Sequence, residues 1–423
     1  MLNLLGVIIA FVVIIFLIRK KFNFGLSLII GSLIVGVFSL QGIEPIDIPK
    51  AIVEASFYSF KTEQIVTQTI ELAALMTLIY ILAKLMQETG AITKLINSLR
   101  TIFSKGGILG VIPAVYGLMP VPGGALFSVP MVNEEGDKYQ INNNQKNFLN
   151  VWFRHIWFPI YPISSAMILI CSAKFSDINI YFLVLINIPA FIASIMIGIF
   201  YLKKFIKNSP KQETCSKKDY SGLIYLLPPL LPLAFYGFLQ FFDIPDIQIR
   251  SFIIGVFFSI ILLYFITKTT IHDYIKIVKK SVALKLALAI FGIMIFREIF
   301  EISGVPDIIA NIIGSMPFPT ILIIIAVPLV LGLLTGYNLG AVALSYPLVE
   351  PFFQASGISI IGITSIIFVS SLAGYLISPI HLCNVLSSDY LKTDTTRMYK
   401  MYIPAVLALL LIQTFFIILL FNK

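Results

Sequence analysis

The stretch Gly117 to Val132, reading GLMPVPGGALFSVPMV, lies deep in apolar sequence yet carries three prolines and three glycines. Pro120 and Pro122 remove backbone donors and stop a helix from continuing, while Gly123 and Gly124 open backbone angles that other residues avoid. In hydrocarbon such a break leaves peptide groups unpaired, which is tolerated only where the chain is buried in protein or lines a wet cavity. A second interrupted stretch, Gly332 to Val349 (GLLTGYNLGAVALSYPLV), follows a little over two hundred residues later. Two broken hydrophobic segments in corresponding positions of two halves point to a transporter binding site.

Hydrocarbon is the solvent that the rest of the chain demands. Of 423 residues, 58% are hydrophobic and only 12% charged, too few charges to cover a water-soluble surface of this size. The net charge of +9 does not mark a nucleic-acid partner, because Lys and Arg collect in short loops between apolar spans. Cys171, Cys215 and Cys383 are too scattered for a disulfide framework or a metal-ligand cluster, so no metal and no cofactor is expected beyond Na⁺ as a coupling ion. The first apolar run has no basic residues before it and a second span follows at once, which favours a retained helix over a cleaved signal peptide.

Hydropathy predicts ten spans and two re-entrant hairpins. The spans are 2–18, 24–40, 65–83, a broken span 148–172, and 180–202, then 223–241, 249–266, 281–300, a broken span 358–382, and 401–421. The hairpins are 107–132 and 319–349, each too short for two full crossings. Segment 41–63 reads as a mixed external loop and 133–147 as a polar cytoplasmic loop. The basic linker 203–219 separates repeat 1 (1–202, frame 1–106) from repeat 2 (220–423, frame 220–300). With the amino terminus outside, about two dozen of the thirty Lys and Arg face the cytoplasm. Five spans in the first half make the two repeats inverted.

Internal matches agree with this division. QETGAITKLINSL (Gln87 to Leu99) is similar to EISGVPDIIANII (Glu301 to Ile313) at an offset of 214. Ser128-Val129-Pro130 matches Ser345-Tyr346-Pro347, and Tyr161-Pro162 matches Ser378-Pro379, both at an offset of 217. Their common order and near-constant offset argue for a repeat.

Candidate substrate-binding groups sit at the breaks. At the first tip, Pro122, Gly123, Gly124 and Ser128 would begin a half-helix whose free N–H groups favour an anion; the competing reading is a kink or close helix packing. At the second, Thr335, Gly336, Tyr337, Asn338 and Gly340 offer side-chain oxygens and an amide at a flexible turn, against a plain capping role for Asn338. Arg154 and His155 lie before the Pro159/Pro162 break, within reach of an anion, unless Arg154 snorkels to the interface beside Lys146. His381 follows Pro379 by two residues and is a candidate for a proton or for substrate. Ser164, Ser165, Ser370, Ser371 and Ser378 surround the two broken spans and are candidate coupling-ion ligands, although serines commonly bond back to their own helix. Glu71 and Lys285 fall inside spans, on opposite faces. Arg297 is expected to pair with Glu298 or Glu301 at an interface.

The runs PGGALFSVP (Pro122 to Pro130), WFRHIW (Trp152 to Trp157) and SPIHLC (Ser378 to Cys383) carry a resemblance. They resemble an uncharacterised prokaryotic integral-membrane family grouped with the ion transporter superfamily, alongside gluconate, citrate, C4-dicarboxylate and lactate permeases and the arsenite-pump membrane subunit. The resemblance covers nearly the whole chain. It implies inverted repeats, two hairpins, an elevator-type motion and a homodimer, and it implies no particular substrate. The tips here read PVPGG and TGYNLG, where the citrate and dicarboxylate carriers have a Ser-Asn-Thr signature.

The expected fold is therefore an all-α membrane protein of two inverted repeats, each of five transmembrane helices and one hairpin. The expected function is secondary transport of a small organic anion, a carboxylate, across the cytoplasmic membrane, coupled to Na⁺ or H⁺. An ion or proton antiporter is the alternative within transport, with no buried Asp pair to support it. A membrane enzyme would need a catalytic pair or metal-bound acid, and no HExxH, Gly-x-Gly-Asp or Asp-rich loop is present.

Overall fold

The computed structural model describes residues 2–103, 106–118, 124–206, 218–242, 244, 247–314 and 319–421. Pro120, Pro122, Gly123 and most of the basic linker lie outside these residues. Within them the chain is all-α, apart from a small antiparallel pair, β1 (Tyr58–Ser59) and β2 (Gln64–Ile65).

The first half runs α1 (Leu2–Arg19), α2 (Phe24–Phe38), α3 (Asp47–Ser56), α4 (Gln68–Glu88), α5 (Ala91–Ile102), α6 (Ile108–Gly117), α7 (Ala125–Lys138), α8 (Asn143–Arg154), α9 (Ser165–Ile170), α10 (Ile180–Ile186) and α11 (Ile188–Phe205). The second runs α12 (Leu227–Leu239), α13 (Ile247–Thr267), α14 (Ile271–Lys280), α15 (Leu284–Ile302), α16 (Val305–Gly314), α17 (Thr320–Thr335), α18 (Asn338–Val349), α19 (Ile360–Leu376), α20 (Leu382–Leu391) and α21 (Thr395–Phe421).

Among the described residues, six helices are long and apolar enough to cross a membrane: α1, α4, α11, α12 with its flanking turns, α13 and α21. The apolar α2, α6, α17 and α19 are shorter. Their surfaces agree with a lipid setting. Val12 is 62% exposed, and Leu411 and Phe415 are 67% and 69% exposed, side chains that water would not tolerate in such a continuous stripe.

The two halves of the chain pack against each other through several helix pairs. Helices α2 and α3 of the first half pack on α15, while α13 and α14 of the second pack on α4. Short α9 packs on α18 and α19, and α20 packs on α7 and α8. The amphipathic α5 and α16 each follow a glycine in the left-handed region, Gly90 (φ 74°) and Gly304 (φ 69°). Ala91, Ile92, Leu95, Ile96 and Leu99 recur at helical spacing on the buried face of α5, with Lys94 and Arg100 outside it.

Several boundaries differ from the hydropathy reading. The external segment 41–63 holds α3, whose buried Ala51 and Ala55 face the core. The polar loop 133–147 shrinks to residues 139–142, because α7 runs on to Lys138 and α8 starts at a capping box made by Asn142 and Gln145. The second broken span is intact from Ile360 to Leu376 and breaks only before Pro379. Glu71 lies in the first turn of α4 and pairs with Arg250 at 3.0 Å. Arg297 pairs with Glu350 at 3.1 Å, leaving Glu298 to Lys174 at 3.3 Å. These partners are remote in sequence, which is why local spacing pointed elsewhere.

A buried polar network holds the breaks in place. Asn187 Nδ2 donates to the Pro159 carbonyl freed by the first break, at 2.9 Å. Ser365 on α19 donates to Asn187 Oδ1 (2.7 Å), and Gln413 on α21 donates to Ser365 Oγ (2.9 Å) and the Ile186 carbonyl (2.8 Å). The Ala190 amide donates back to Gln413 Oε1 at 3.0 Å. Replacing Gln413 with Leu strips partners from several buried groups at once, so a loss of about 1–3 kcal/mol is expected. Unfolding of the purified protein in detergent measures it; stability equal to wild type would show that the network contributes nothing.

Candidate functional site

Both breaks are fastened to the hairpin of their own half by the same device. Tyr161, just before Pro162, donates to the Leu118 carbonyl at 2.7 Å, and Ser378, just before Pro379, donates to the Leu333 carbonyl at 2.7 Å. In each case a side chain at the break satisfies a carbonyl near the end of the first hairpin arm. The end of α6, the second hairpin tip and the two breaks are thereby brought to one place. There they enclose a cavity of about 180 Å³.

The cavity takes Gly117 from the first hairpin, Gly336, Tyr337 and Asn338 from the second, and Arg154, His155, Ser164 and Ser165 from the first break. Tyr375, Leu382 and Cys383 come from the second break. Met76, Ile79 and Tyr80 of α4 and Leu286 and Ile290 of α15 complete the wall.

Arg154 is 4% exposed and ends α8 beneath the first hairpin. It does not snorkel beside Lys146, which is itself buried and bonded to Asp137 (2.6 Å) and Asn133 (2.8 Å). The backbone approach is close enough to require glycine at Gly117, while at Gly124 the neighbour is the movable end of the Arg154 side chain. A Cβ at Gly124, which precedes α7, would overlap the Arg154 Nη2, and a Cβ at Gly117 would overlap the Arg154 carbonyl. No acidic side chain is among the described residues lining the cavity, so its electrostatics favour an anion.

At the second tip, Gly336 ends α17 in the left-handed region (φ 59°), and a Cβ there would lie 2.7 Å from Ile380 Cγ1. Thr335 donates to the Leu331 carbonyl at 2.7 Å, so its hydroxyl closes its own helix. Tyr337 packs edge-on against Phe24 (5.3 Å between centroids). Asn338 opens α18 but does not cap it; its Oδ1 is buried with no hydrogen-bond partner.

The histidines meet across the halves. His155 Nδ1 donates to the Val151 carbonyl at 2.6 Å, which leaves Nε2 as the acceptor, 3.2 Å from the Tyr375 hydroxyl. The His381 ring is fully buried, 4.8 Å from His155 and 4.0 Å from Tyr375 between centroids.

Of the other candidates, Ser164 lines the cavity while Ser128, Gly340, Ser370, Ser371 and Ser378 are not among its lining residues. Ser128 is buried one turn into α7 with its hydroxyl toward the Ala125 carbonyl (3.3 Å). Gly340 lies under the Phe24 ring. Ser370 and Ser371 are buried inside unbroken α19 with no hydrogen-bond partner, and Ser378 is the fastener already described. Ser164 caps α9 through the Met167 amide at 3.4 Å. Pro122 and Gly123 lie outside the described residues.

Sequence reasoning missed the walls from α4 and α15 and the aromatic Tyr161 and Tyr375. The one available signal was the Gln87/Glu301 match, which aligns the ends of α4 and α15 as counterparts.

Gly336→Ala is expected to destabilise the protein by about 1–2 kcal/mol through left-handed strain and contact with Ile380, while Gly42→Ala, exposed and meeting only the Ser39 carbonyl at 3.8 Å, changes little. Thermal unfolding in detergent compares the two; equal effects would contradict the tip geometry.

A comparison with curated proteins gives no match. The model of the family described as "Protein of unknown function (DUF401)" matches residues 2–419, and the chain belongs to that family.

Proposed function

We propose that this chain is a secondary transporter of the cytoplasmic membrane that moves a small organic anion, coupled to Na⁺ or H⁺, by an elevator motion. In this reading it is an inverted-repeat member of the ion transporter superfamily, working as a homodimer joined through its frame. The observation that carries the reading is the division of labour around the cavity. Every polar group of the lining except the Tyr80 hydroxyl comes from the hairpins and breaks, while α4 and α15 supply Met76, Ile79, Leu286 and Ile290. A site whose polar contacts belong almost entirely to one body keeps its geometry as that body moves, and a facing wall whose single polar group is the Tyr80 hydroxyl offers few hydrogen bonds to break.

The moving body in this reading comprises α6–α9 and α17–α20; the frame comprises α1–α4 and α12–α15. The contacts between the two halves support the inverted repeat, since a two-fold relation pairs α2 with α15 and α13 with α4. Cavity size limits the cargo. About 180 Å³ is below the ~300–1,000 Å³ of drug-sized ligand sites, so the anion has few heavy atoms.

Arg154 is assigned to the anion. A charge-assisted hydrogen bond contributes about 1.5–3 kcal/mol, so Arg154→Gln is expected to weaken binding of small carboxylates roughly 10- to 100-fold. Ligand-dependent thermal shift reads both affinity and folding. Unchanged affinity in a folded variant would remove Arg154 from the site. Orientation is tested separately with single cysteines in a cysteine-free background. Positions 140 and 210 are expected to resist membrane-impermeant reagents applied outside intact cells; labelling at either overturns the inverted arrangement.

A further inference from the structure

We propose that His155, His381 and Cys383 form a binding site for a thiophilic transition-metal ion of the zinc class, at the edge of the cavity. One ligand atom from each residue lies within 4.8 Å of the others, and all three side chains are buried. The donors come from both halves of the chain, His155 from the end of α8 and His381 with Cys383 from the start of α20. That separation is why the cysteine spacing alone gave no hint of a metal cluster.

Three independent features point to a ligand here. His381 is fully buried, yet neither ring nitrogen makes a hydrogen bond; the Leu376 carbonyl is near it without hydrogen-bond geometry. A buried polar group left this way costs about 1–3 kcal/mol, a penalty that coordination removes. His155 is tethered as a metal ligand is, with Nδ1–H held by the Val151 carbonyl and Nε2 left as the lone-pair donor, now accepting from the Tyr375 hydroxyl. Cys383 and His155 both line the cavity, which provides room for a fourth, non-protein ligand.

The donor chemistry selects the ion. Two imidazoles and one thiolate suit a borderline-soft cation and not Mg²⁺ or Ca²⁺, which take oxygen ligands. Zinc bond lengths place tetrahedral donors roughly 3.3–3.8 Å apart, so the cluster closes by about 1 Å on binding. The Tyr375 hydroxyl, now against His155 Nε2, gives way to the ion. The thiolate offsets one charge of a divalent ion, and nearby Arg154 favours an anion in the open fourth position. Metal binding of this kind does not depend on the transport reading, because it is measured on purified protein without any flux.

Titration of the purified protein in detergent with Co²⁺ tests the site. Wild type is expected to bind one Co²⁺ with a thiolate-to-cobalt charge-transfer absorption, displaced by Zn²⁺. Cys383→Ser should abolish that absorption, His381→Gln should weaken binding at least about tenfold, and a Cys171→Ser/Cys215→Ser variant should keep both. Absence of the absorption in wild type, or its survival in Cys383→Ser, overturns the proposal. Should Cys383→Ser fail to fold, alkylation of Cys383 in the Cys171→Ser/Cys215→Ser protein gives the same answer. Zn²⁺ is then expected to slow the reaction, and an unchanged rate overturns the site.

Discussion

Peptide groups released from a helix inside hydrocarbon must find new partners, and the described fold is arranged to supply them. Pro159 exposes a carbonyl that Asn187 takes up, and the ends of α6 and α17 present carbonyls that Tyr161 and Ser378 take up. Each bond satisfies a stray backbone group and also ties a broken span to another element. The hairpins and breaks are held together by the same contacts that make them tolerable in a membrane. A cavity where the end of α6, the second tip and both breaks meet follows from that requirement.

The proposed transport mechanism uses this economy of polar groups. The breaks and tips carry the guanidinium of Arg154, the imidazoles, the serines and the Asn338 amide, while α4 and α15 present a largely apolar face. Close packing inside the moving body is secured by glycines at backbone crossings. A Cβ at Gly374 would overlap the Leu329 carbonyl, and one at Gly332 would overlap the Ser371 carbonyl, so α17 and α19 are in near backbone contact. In the proposed mechanism, this close packing lets α17 and α19 travel together.

Much of this arrangement was legible in the sequence, because Pro and Gly act locally. The turn between α17 and α18 within Pro319 to Val349 and the start of α7 after Gly124 follow from residue type. What escaped depends on residues far apart. Met76 and Ile290 read like any lipid-facing side chain until the fold turns them to the cavity. For Arg154 local sequence leaves two readings, an anion ligand or a side chain snorkelling beside Lys146, and the fold decides between them by burying both and sending Arg154 toward Gly124. Ser370 and Ser371 seemed to flank a break because Gly374 and Pro379 follow, but Gly374 serves helix packing and only Pro379 interrupts the chain.

The central claim is that the tips and breaks move as one body against α4 and α15, and site-directed cross-linking in reconstituted vesicles tests it most directly. Tyr80 on α4 and Tyr337 at the second tip both line the cavity, so cysteines at these positions report on the seam. A cross-link there is expected to stop anion flux, while one joining α17 to α19 within the moving body leaves most of the flux intact. Full flux with Tyr80 and Tyr337 positions joined would contradict the account and assign any gating to the hairpin tips alone.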